Sequence, residues 1–286
     1  MSQGSADCVL GRHRELTPRR ECIIGIAMEL ANQTIALTGA SSGIGAALAR
    51  ELSERGARVI LIARRRDRME ALARELPSEC DVWPSDLLDR EAQRELIERL
   101  VEREVDGLVN NAGIGAAGHF WTHEPDRIDR IVELNIGVLV RLTRAVLPGM
   151  IERGGGFVFN VGSVAGFQGT PYMATYGATK SFVLDFTEAL AVELVGTGVT
   201  TGVICPGSTR TEFFETNGVA AEKAYKVFES AEQVARNAVR AIEGRRVIRV
   251  SGWMNAVVAH ASRCAPSVLR RWVAGRIMRG LNEGRD

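Results

Sequence analysis

The stretch Thr38-Gly39-Ala40-Ser41-Ser42-Gly43-Ile44-Gly45 joins an apolar run, Thr34 to Thr38, to the helix-forming sequence Ala46-Ala-Leu-Ala-Arg-Glu-Leu52. Glycines at a strand-to-helix turn let the backbone approach a pyrophosphate, whose charge then meets the free N–H groups and positive dipole end of the helix. The spacing is G-x-x-x-G-x-G rather than the usual dinucleotide fingerprint G-x-G-x-x-G, and a tight turn that binds nothing is the competing reading. No lysine stands in the turn, which excludes a nucleoside-triphosphate P-loop, because that loop requires G-K-[ST].

Outward from this turn, short apolar runs alternate with longer amphipathic stretches, the pattern of repeated βαβ units. The runs are Thr34 to Thr38, Ala57 to Ala63, Asp81 to Pro84, Gly107 to Asn110, Gly156 to Val161, Val199 to Cys205 and Arg245 to Val250. Helical patterns fall at about 44–55, 67–76, 88–104, 125–151, 173–195 and 231–242. This predicts an α/β fold: one domain over 28–250 with a seven-stranded parallel sheet covered by helices on both faces. Residues 208–230 break the alternation, and a long loop inside a compact α/β fold is usually functional, so the substrate loop is expected there.

Composition bounds the function classes. The chain has 286 residues, 45% hydrophobic and 25% charged, too apolar for general disorder. Its 36 Lys and Arg against 35 Asp and Glu leave a formal charge of +1, no electrostatic footprint for nucleic acid. Cys8, Cys22, Cys80, Cys205 and Cys264 are odd in number, scattered and free of any C-x-x-C pair. They fit a reducing, cytoplasmic setting and argue against a disulfide scaffold or zinc ribbon. Arg12, Arg14, Arg19 and Arg20 precede the apolar stretch Cys22 to Met28, which is short and broken by Gly25. Residues 1–27 are therefore expected to be a disordered extension, or the upstream reading of a gene whose product starts at Met28, rather than a signal peptide.

An NAD site places Asp or Glu at the end of the second strand to hold the ribose 2′-hydroxyl. Here that place reads Ile62-Ala63-Arg64-Arg65-Arg66. A guanidinium binds a 2′-phosphate that a carboxylate would repel, so Arg64 and Arg65 point to NADP(H). The alternative, arginines that only solvate a helix start, puts cations at the wrong end of a dipole. Asp86, with Leu87 beside it, could accept from the adenine amino group or cap the helix beginning near Asp89.

Taken in order, Thr38-Gly-Ala-Ser-Ser-Gly-Ile-Gly45, Asn110-Asn-Ala-Gly113, Asn135, Ser163, Tyr176-Gly-Ala-Thr-Lys180, and Pro206-Gly207 with Thr211 carry a resemblance. From about Asn32 to Val250 the chain resembles the short-chain dehydrogenase/reductase family in its NADP-preferring form. The resemblance implies a doubly wound Rossmann-type domain and a catalytic set of Asn135, Ser163, Tyr176 and Lys180. Tyr176 and Lys180 lie one helical turn apart, so the ammonium is expected to draw the phenol pKa from about 10 toward working pH for proton exchange with a substrate oxygen. Ser163 would stabilise charge on that oxygen. In the family the lysine also holds the nicotinamide ribose, and Asn135 would anchor a water that relays protons to solvent. The implied cofactor contacts are Gly39, Ser41, Ser42, Gly43, Ile44, Gly45, Arg64, Arg65, Asp86 and Leu87. Asn110, Ala112, Gly113, Tyr176 and Lys180 join them, with Pro206, Gly207 and Thr211 at the nicotinamide end. Phe167, Phe213, Phe214 and Phe228 fall in segments that bound the family's substrate pocket, which implies a relatively apolar ketone, aldehyde, acyl or steroid-like substrate, or the matching alcohol. Pairing of the long helices holding Asn135 and Tyr176 would make a homodimer or homotetramer.

Competing chemistries fare worse on the residues. Val161 stands where a G-x-S-x-G elbow around Ser163 needs glycine. His119 and His123 are four apart, but Glu124 does not complete H-E-x-x-H, so no metal is expected. A non-catalytic NADPH-binding regulator could dispense with Ser163, Tyr176 and Lys180, and an epimerase or dehydratase on the same scaffold is a third option. Beyond Val250, residues 251–286 mix Trp, Val, Leu and Ile with Arg263, Arg270, Arg271, Arg276 and Arg279, the pattern of a basic amphipathic helical extension. It either lies on a membrane surface or packs over the pocket or a second subunit.

Overall fold

The computed structural model describes residues 27–209, 211–212 and 229–282. The extension expected over 1–27 thus falls, but for Ala27, outside the described residues, as do Phe213, Phe214, Phe228 and most of the expected substrate loop.

Strands β1 (Thr34–Thr38), β2 (Arg58–Ala63), β3 (Cys80–Pro84), β4 (Gly107–Asn110), β5 (Gly156–Val161), β6 (Val199–Cys205) and β7 (Ile248–Val250) form one parallel sheet in the order β3-β2-β1-β4-β5-β6-β7. The chain winds outward from β1 to β3, then returns to β1's other edge with β4, where Leu37 pairs with Val109. Ligands of open α/β sheets bind outside the carboxyl ends of strands at such a reversal. Both ends here carry motif: Thr38 leads into the glycine turn, and Asn110 into Asn111-Ala-Gly113.

Side-chain alternation explains why the strands read as continuous apolar runs. Ile35 and Leu37 of β1 and Val59 and Leu61 of β2 join the core under one helix layer, whereas Ala36, Ile60 and Ile62 join the core under the other. A strand buried on both faces has no polar side to show. The first layer holds α1 (Gly43–Glu54), α2 (Arg66–Glu75) and α7 (Ala231–Glu243). α1 and α7 contribute Leu48, Leu52, Val234, Ala238 and Ile242, and α2 Met69 and Leu72. The second layer holds α3 (Arg90–Glu102), α5 (Leu139–Glu152) and α6 (Ala174–Glu193), with Leu96, Leu100, Leu142, Val146, Met150 and Leu190 packed on the sheet. Each fully buried leucine here contributes roughly 1.5 to 3 kcal/mol.

The helix expected over 125–151 is continuous but not uniform. α4 (Pro125–Val132) passes through a π turn, Glu133–Val138, into α5. By length and composition Pro125–Glu152 is the one described segment that could cross a bilayer. Its Val138, Leu142, Val146 and Met150 are instead taken up by the core. The C-terminal extension is two helices, α8 (Trp253–Cys264) and α9 (Ser267–Asn282), rather than one. Pro266 explains the break, since it disfavours helical geometry in the residue before it.

Candidate active site

The glycine turn is shaped by left-handed backbone and by crowding. Gly39 (φ 68°) and Gly43 (φ 56°) lie where a Cβ is strained. Gly45 has no such φ, but a Cβ there would run into Gly39 O and Asn111 Nδ2. Ser42 is the N-cap of α1, yet its side chain makes no capping hydrogen bond and no acid stands in the first turn. Instead its Oγ accepts from Arg65 Nη2 at 2.8 Å, and Ser41 Oγ accepts from the same nitrogen at 3.0 Å. The first N–H groups of α1 are thereby left to an anion, which is what a dinucleotide pyrophosphate requires.

A cleft of about 480 Å³ opens from this turn. It gathers Gly39, Ser41, Ser42, Gly43, Ile44 and Gly45 with Arg64, Arg65, Asp86, Leu87, Ala112, Gly113, Ser163, Tyr176, Lys180, Pro206, Gly207 and Thr211. Arg65 is half-buried and Arg64 exposed at the rim. Of the two roles open to Asp86, capping belongs to Asp89, whose side chain accepts from Glu91 N and Ala92 N. Asp86 accepts from Leu88 N and stays at the cleft.

Asn110 departs from expectation. It is buried away from the cleft, its Nδ2 donating to Thr143 Oγ1 at 3.1 Å and Asn160 Oδ1 at 3.0 Å, while Asn160 Nδ2 reaches Thr187 Oγ1. Successive residues of a strand end face opposite sides, so the cleft receives its neighbour. Asn111 Nδ2 donates to Thr38 O at 2.9 Å and Gly39 O at 3.1 Å, and Thr38 Oγ1 accepts from Asn111 N and Ala112 N. Asn111 therefore braces the glycine turn, a role its place in the quoted Asn-Asn-Ala-Gly motif could have suggested.

At the other end of the cleft β5 delivers Ser163 and α6 delivers Tyr176 and Lys180. Ser163 caps the short turn Val164–Phe167, accepting from Ala165 N at 3.1 Å, and its side chain also hydrogen-bonds Tyr176. Buried Lys180 donates from Nζ to Val161 O at 2.7 Å and lies 5.8 Å from the Tyr176 ring centre. Burial pushes the Tyr176 phenol up to about 12, against the pull of Ser163 and with a further rise from the Cys205 thiol. This runs opposite to the expectation that Lys180 draws the phenol toward neutral pH: spacing put the two groups one turn apart, but burial sets the direction of the shift. Burial likewise lowers Lys180 to about 8. Cys205, which the sequence did not single out, closes the floor of this cluster as a buried thiol raised to about 12, chiefly by burial.

Asn135 sits on the π turn, buried, with Oδ1 accepting from Ile114 N and Nδ2 donating to Ile114 O and Thr179 Oγ1. Its Oδ1 and Lys180 Nζ both lie within 3.6 Å of where a Cβ on Gly113 would stand. Only glycine leaves that gap open. The wide turn of a π bulge is what aims Asn135 there.

Phe167 does not line the cleft. It is buried in the core under α8, with Arg263 over its ring at 5.1 Å and His260 at 6.0 Å. The same helix sets Asn255 against Gly207, so part of the C-terminal segment braces the floor of the site. A second cavity of about 280 Å³ is walled by His119, Phe120, Trp121, Ile128, Pro171 and Tyr172. There His119 stacks on Trp121 at 4.3 Å and meets Tyr172 edge-on at 5.1 Å, a packing role for the histidine.

A doubly wound sheet with an anion-ready helix start at its reversal, and a half-buried phenol and hydroxyl beside a buried ammonium down the same cleft, points to a dinucleotide-dependent oxidoreductase. Comparison sharpens the class, because a family profile described as short chain dehydrogenase matches residues 33–221. The chain belongs to that family. It is 41% identical over 186 residues, 63% of this chain and 73% of the relative, to sulfoacetaldehyde reductase 2 of Chromohalobacter salexigens. A short-chain dehydrogenase from Sphingobium yanoikuyae solved with NADPH superposes with a TM-score of 0.76 at 31% identity, covering 83% of this chain and 94% of that one. A bulky-bulky ketone specific alcohol dehydrogenase from Comamonas testosteroni does so with a TM-score of 0.70 at 30% identity, covering 81% and 92%. The protein is accordingly an oxidoreductase that uses a nicotinamide dinucleotide.

Proposed function

We propose that the protein is an NADP(H)-dependent carbonyl reductase, or in reverse an alcohol dehydrogenase, for a relatively apolar ketone or aldehyde. The observation that carries the reaction is the hydrogen-bonded pair of Ser163 and a Tyr176 phenol that burial keeps protonated, beside the Lys180 ammonium. When bound, the cofactor supplies the hydride. Tyr176 gives its proton to the substrate oxygen, Ser163 donates a hydrogen bond to the charge that develops there, and Lys180 with Asn135 returns protons from solvent. Relatives named for reduction of an aldehyde and for a bulky ketone support the reaction class. The aromatic walls of the second cavity, lined by Pro171, Tyr172, Ala174 and Thr175 from the segment that leads to Tyr176, support an apolar substrate portion. NADPH consumption across ketones and aldehydes graded by chain length and ring count tests this; a clear preference for small, charged carbonyls would sink the apolar reading.

NADP preference rests on Arg64 and Arg65 at the cleft and the NADPH-bound relative. Arg65→Ala is expected to weaken NADPH binding on the order of 10- to 100-fold, through loss of about 1.5 to 3 kcal/mol of charged contact, and to spare NADH. Dissociation constants for both cofactors decide it, and tighter NADH than NADPH binding by the unmodified protein would end the claim.

The catalytic unit is assigned to 28–250, with 251–286 as an appended helical segment in a cytoplasmic protein. A homodimer or homotetramer through the long helices is supported by exposed Val132, Ile151, Phe182, Val192 and Val195. Peripheral membrane contact is supported by exposed Trp253, Val257, Val258, Val268, Leu269 and Trp272, in a stretch from Trp253 to Asn282 that holds five arginines and no acid. The full chain is expected to sediment with anionic vesicles at low salt, and an Arg271→Glu/Arg276→Glu variant to stay behind. Full-length protein that remains in the supernatant returns this surface to packing against a second subunit.

A further inference from the structure

Glu212 reaches from just beyond Thr211 to Arg65, the N-cap of α2, and to Arg68 within it. Its Oε2 accepts from Arg65 Nη1 at 3.0 Å and its Oε1 from Arg68 Nη1 at 2.6 Å. The Arg65 Nε donates to Ser41 Oγ and its Nη2 to Ser41 and Ser42 Oγ of the glycine turn. The guanidinium assigned above to a 2′-phosphate is therefore already engaged at all three nitrogens, and one of its partners is an anion from the opposite wall of the cleft. Hydrogen bonds from Arg68, then Arg65, hold the Glu212 carboxyl below the ordinary range, so it is ionised at neutral pH.

We propose that Glu212 is a specificity-determining residue, an internal anion that occupies the Arg65 site and that the 2′-phosphate of NADP(H) must displace. The inference rests on the NADP reading. A phosphate monoester carries about −1.5 to −2 charge and outcompetes a single carboxylate for the fork. If Glu212 leaves, its ion pairs are lost; if it stays, two anions share one site and repel. Either cost falls on NADP(H) alone, because the 2′-hydroxyl of NAD(H) brings no charge. Glu212 thus narrows the cofactor preference that Arg65 creates. The three side chains are 40 to 45% exposed, so solvent screens both pairs and the expected effect is modest.

The test is titration of the full chain and Glu212→Gln with NADPH, NADH and adenosine 2′,5′-bisphosphate. Glutamine keeps the shape and removes the charge. NADPH and the bisphosphate are expected to bind about three- to tenfold tighter to Glu212→Gln, with NADH unchanged within about twofold. In an Arg65→Ala background the gain for the bisphosphate should fall below about twofold, the sign of direct coupling. Unchanged or weaker binding of NADPH and the bisphosphate overturns the proposal. So does equal tightening of NADH, which would mean a general charge effect, or weaker NADH binding, which would make Glu212 a ribose ligand. A gain that persists undiminished without Arg65 overturns it as well. If the unmodified protein prefers NADH, the NADP reading fails by itself, and the bisphosphate titration still decides the role of Glu212.

Discussion

Tyr176→Phe is expected to cut single-turnover hydride transfer from bound NADPH by about 10² to 10⁴ or more while leaving NADPH affinity nearly unchanged. Phenylalanine fills the same half-buried space on α6 and leaves the Lys180 to Val161 hydrogen bond untouched. What disappears is the hydroxyl that Ser163 bonds, the group proposed to hand a proton to the substrate oxygen. Because burial holds the phenol at about 12, it stays protonated across neutral pH, and the reduction rate of the unmodified enzyme should show no loss from phenol ionisation below pH 9. Ser163→Ala should cost on the order of 10² by removal of an oxyanion donor. Wild-type-like reduction by Tyr176→Phe would place the proton source elsewhere and dismantle the assigned mechanism.

Lys180→Met is expected to be the second most damaging change, lowering turnover on the order of 10²-fold and weakening cofactor binding, without lowering the melting temperature at pH 7. The reason is linkage. Burial lowers the Lys180 ammonium from 10.5 to about 8 in the folded protein. Between these values the unfolded chain binds the extra proton, so this group makes stability rise as pH climbs from about 8 to 10.5. Below pH 8 the buried charge destabilises the fold in full, by roughly 3 kcal/mol at about 1.4 kcal/mol per unit. Methionine removes that cost and sacrifices one charge-assisted hydrogen bond to Val161 O, worth about 1.5 to 3 kcal/mol, so the two roughly offset. Melting curves from pH 7 to 10.5 should rise for the unmodified protein and stay flatter for the variant. A variant that melts well below wild type at pH 7 would show that Lys180 supports the fold rather than burdening it for function.

The substitution Arg65→Ala meets the same distinction between function and fold from the other end of the cleft. Arg65 is a tertiary hub joining α2, the glycine turn and Glu212, 147 residues away. Its chemistry was legible at the end of β2, but its present partner was not, since nothing local links positions so far apart.

By itself the sequence determined the architecture and the residue types of the site. Continuous apolar runs of strand length between amphipathic stretches leave few alternatives to a parallel sheet between helix layers, and a G-x-x-x-G-x-G turn after the first strand demands backbone that only glycine adopts. Tyr176 and Lys180 share a helix face by spacing alone. Tertiary structure decided the rest, for a physical reason that recurs at each point. A strand buried on both faces carries no polar phase, so only the register of β4 between β1 and β5 determined that Asn111 faces the cleft while Asn110 joins a buried amide ladder. Phe167 became core because α8, nearly 90 residues later, covers it. The Tyr176 phenol rises rather than falls because of burial, which depends on everything packed around it and which local spacing cannot show.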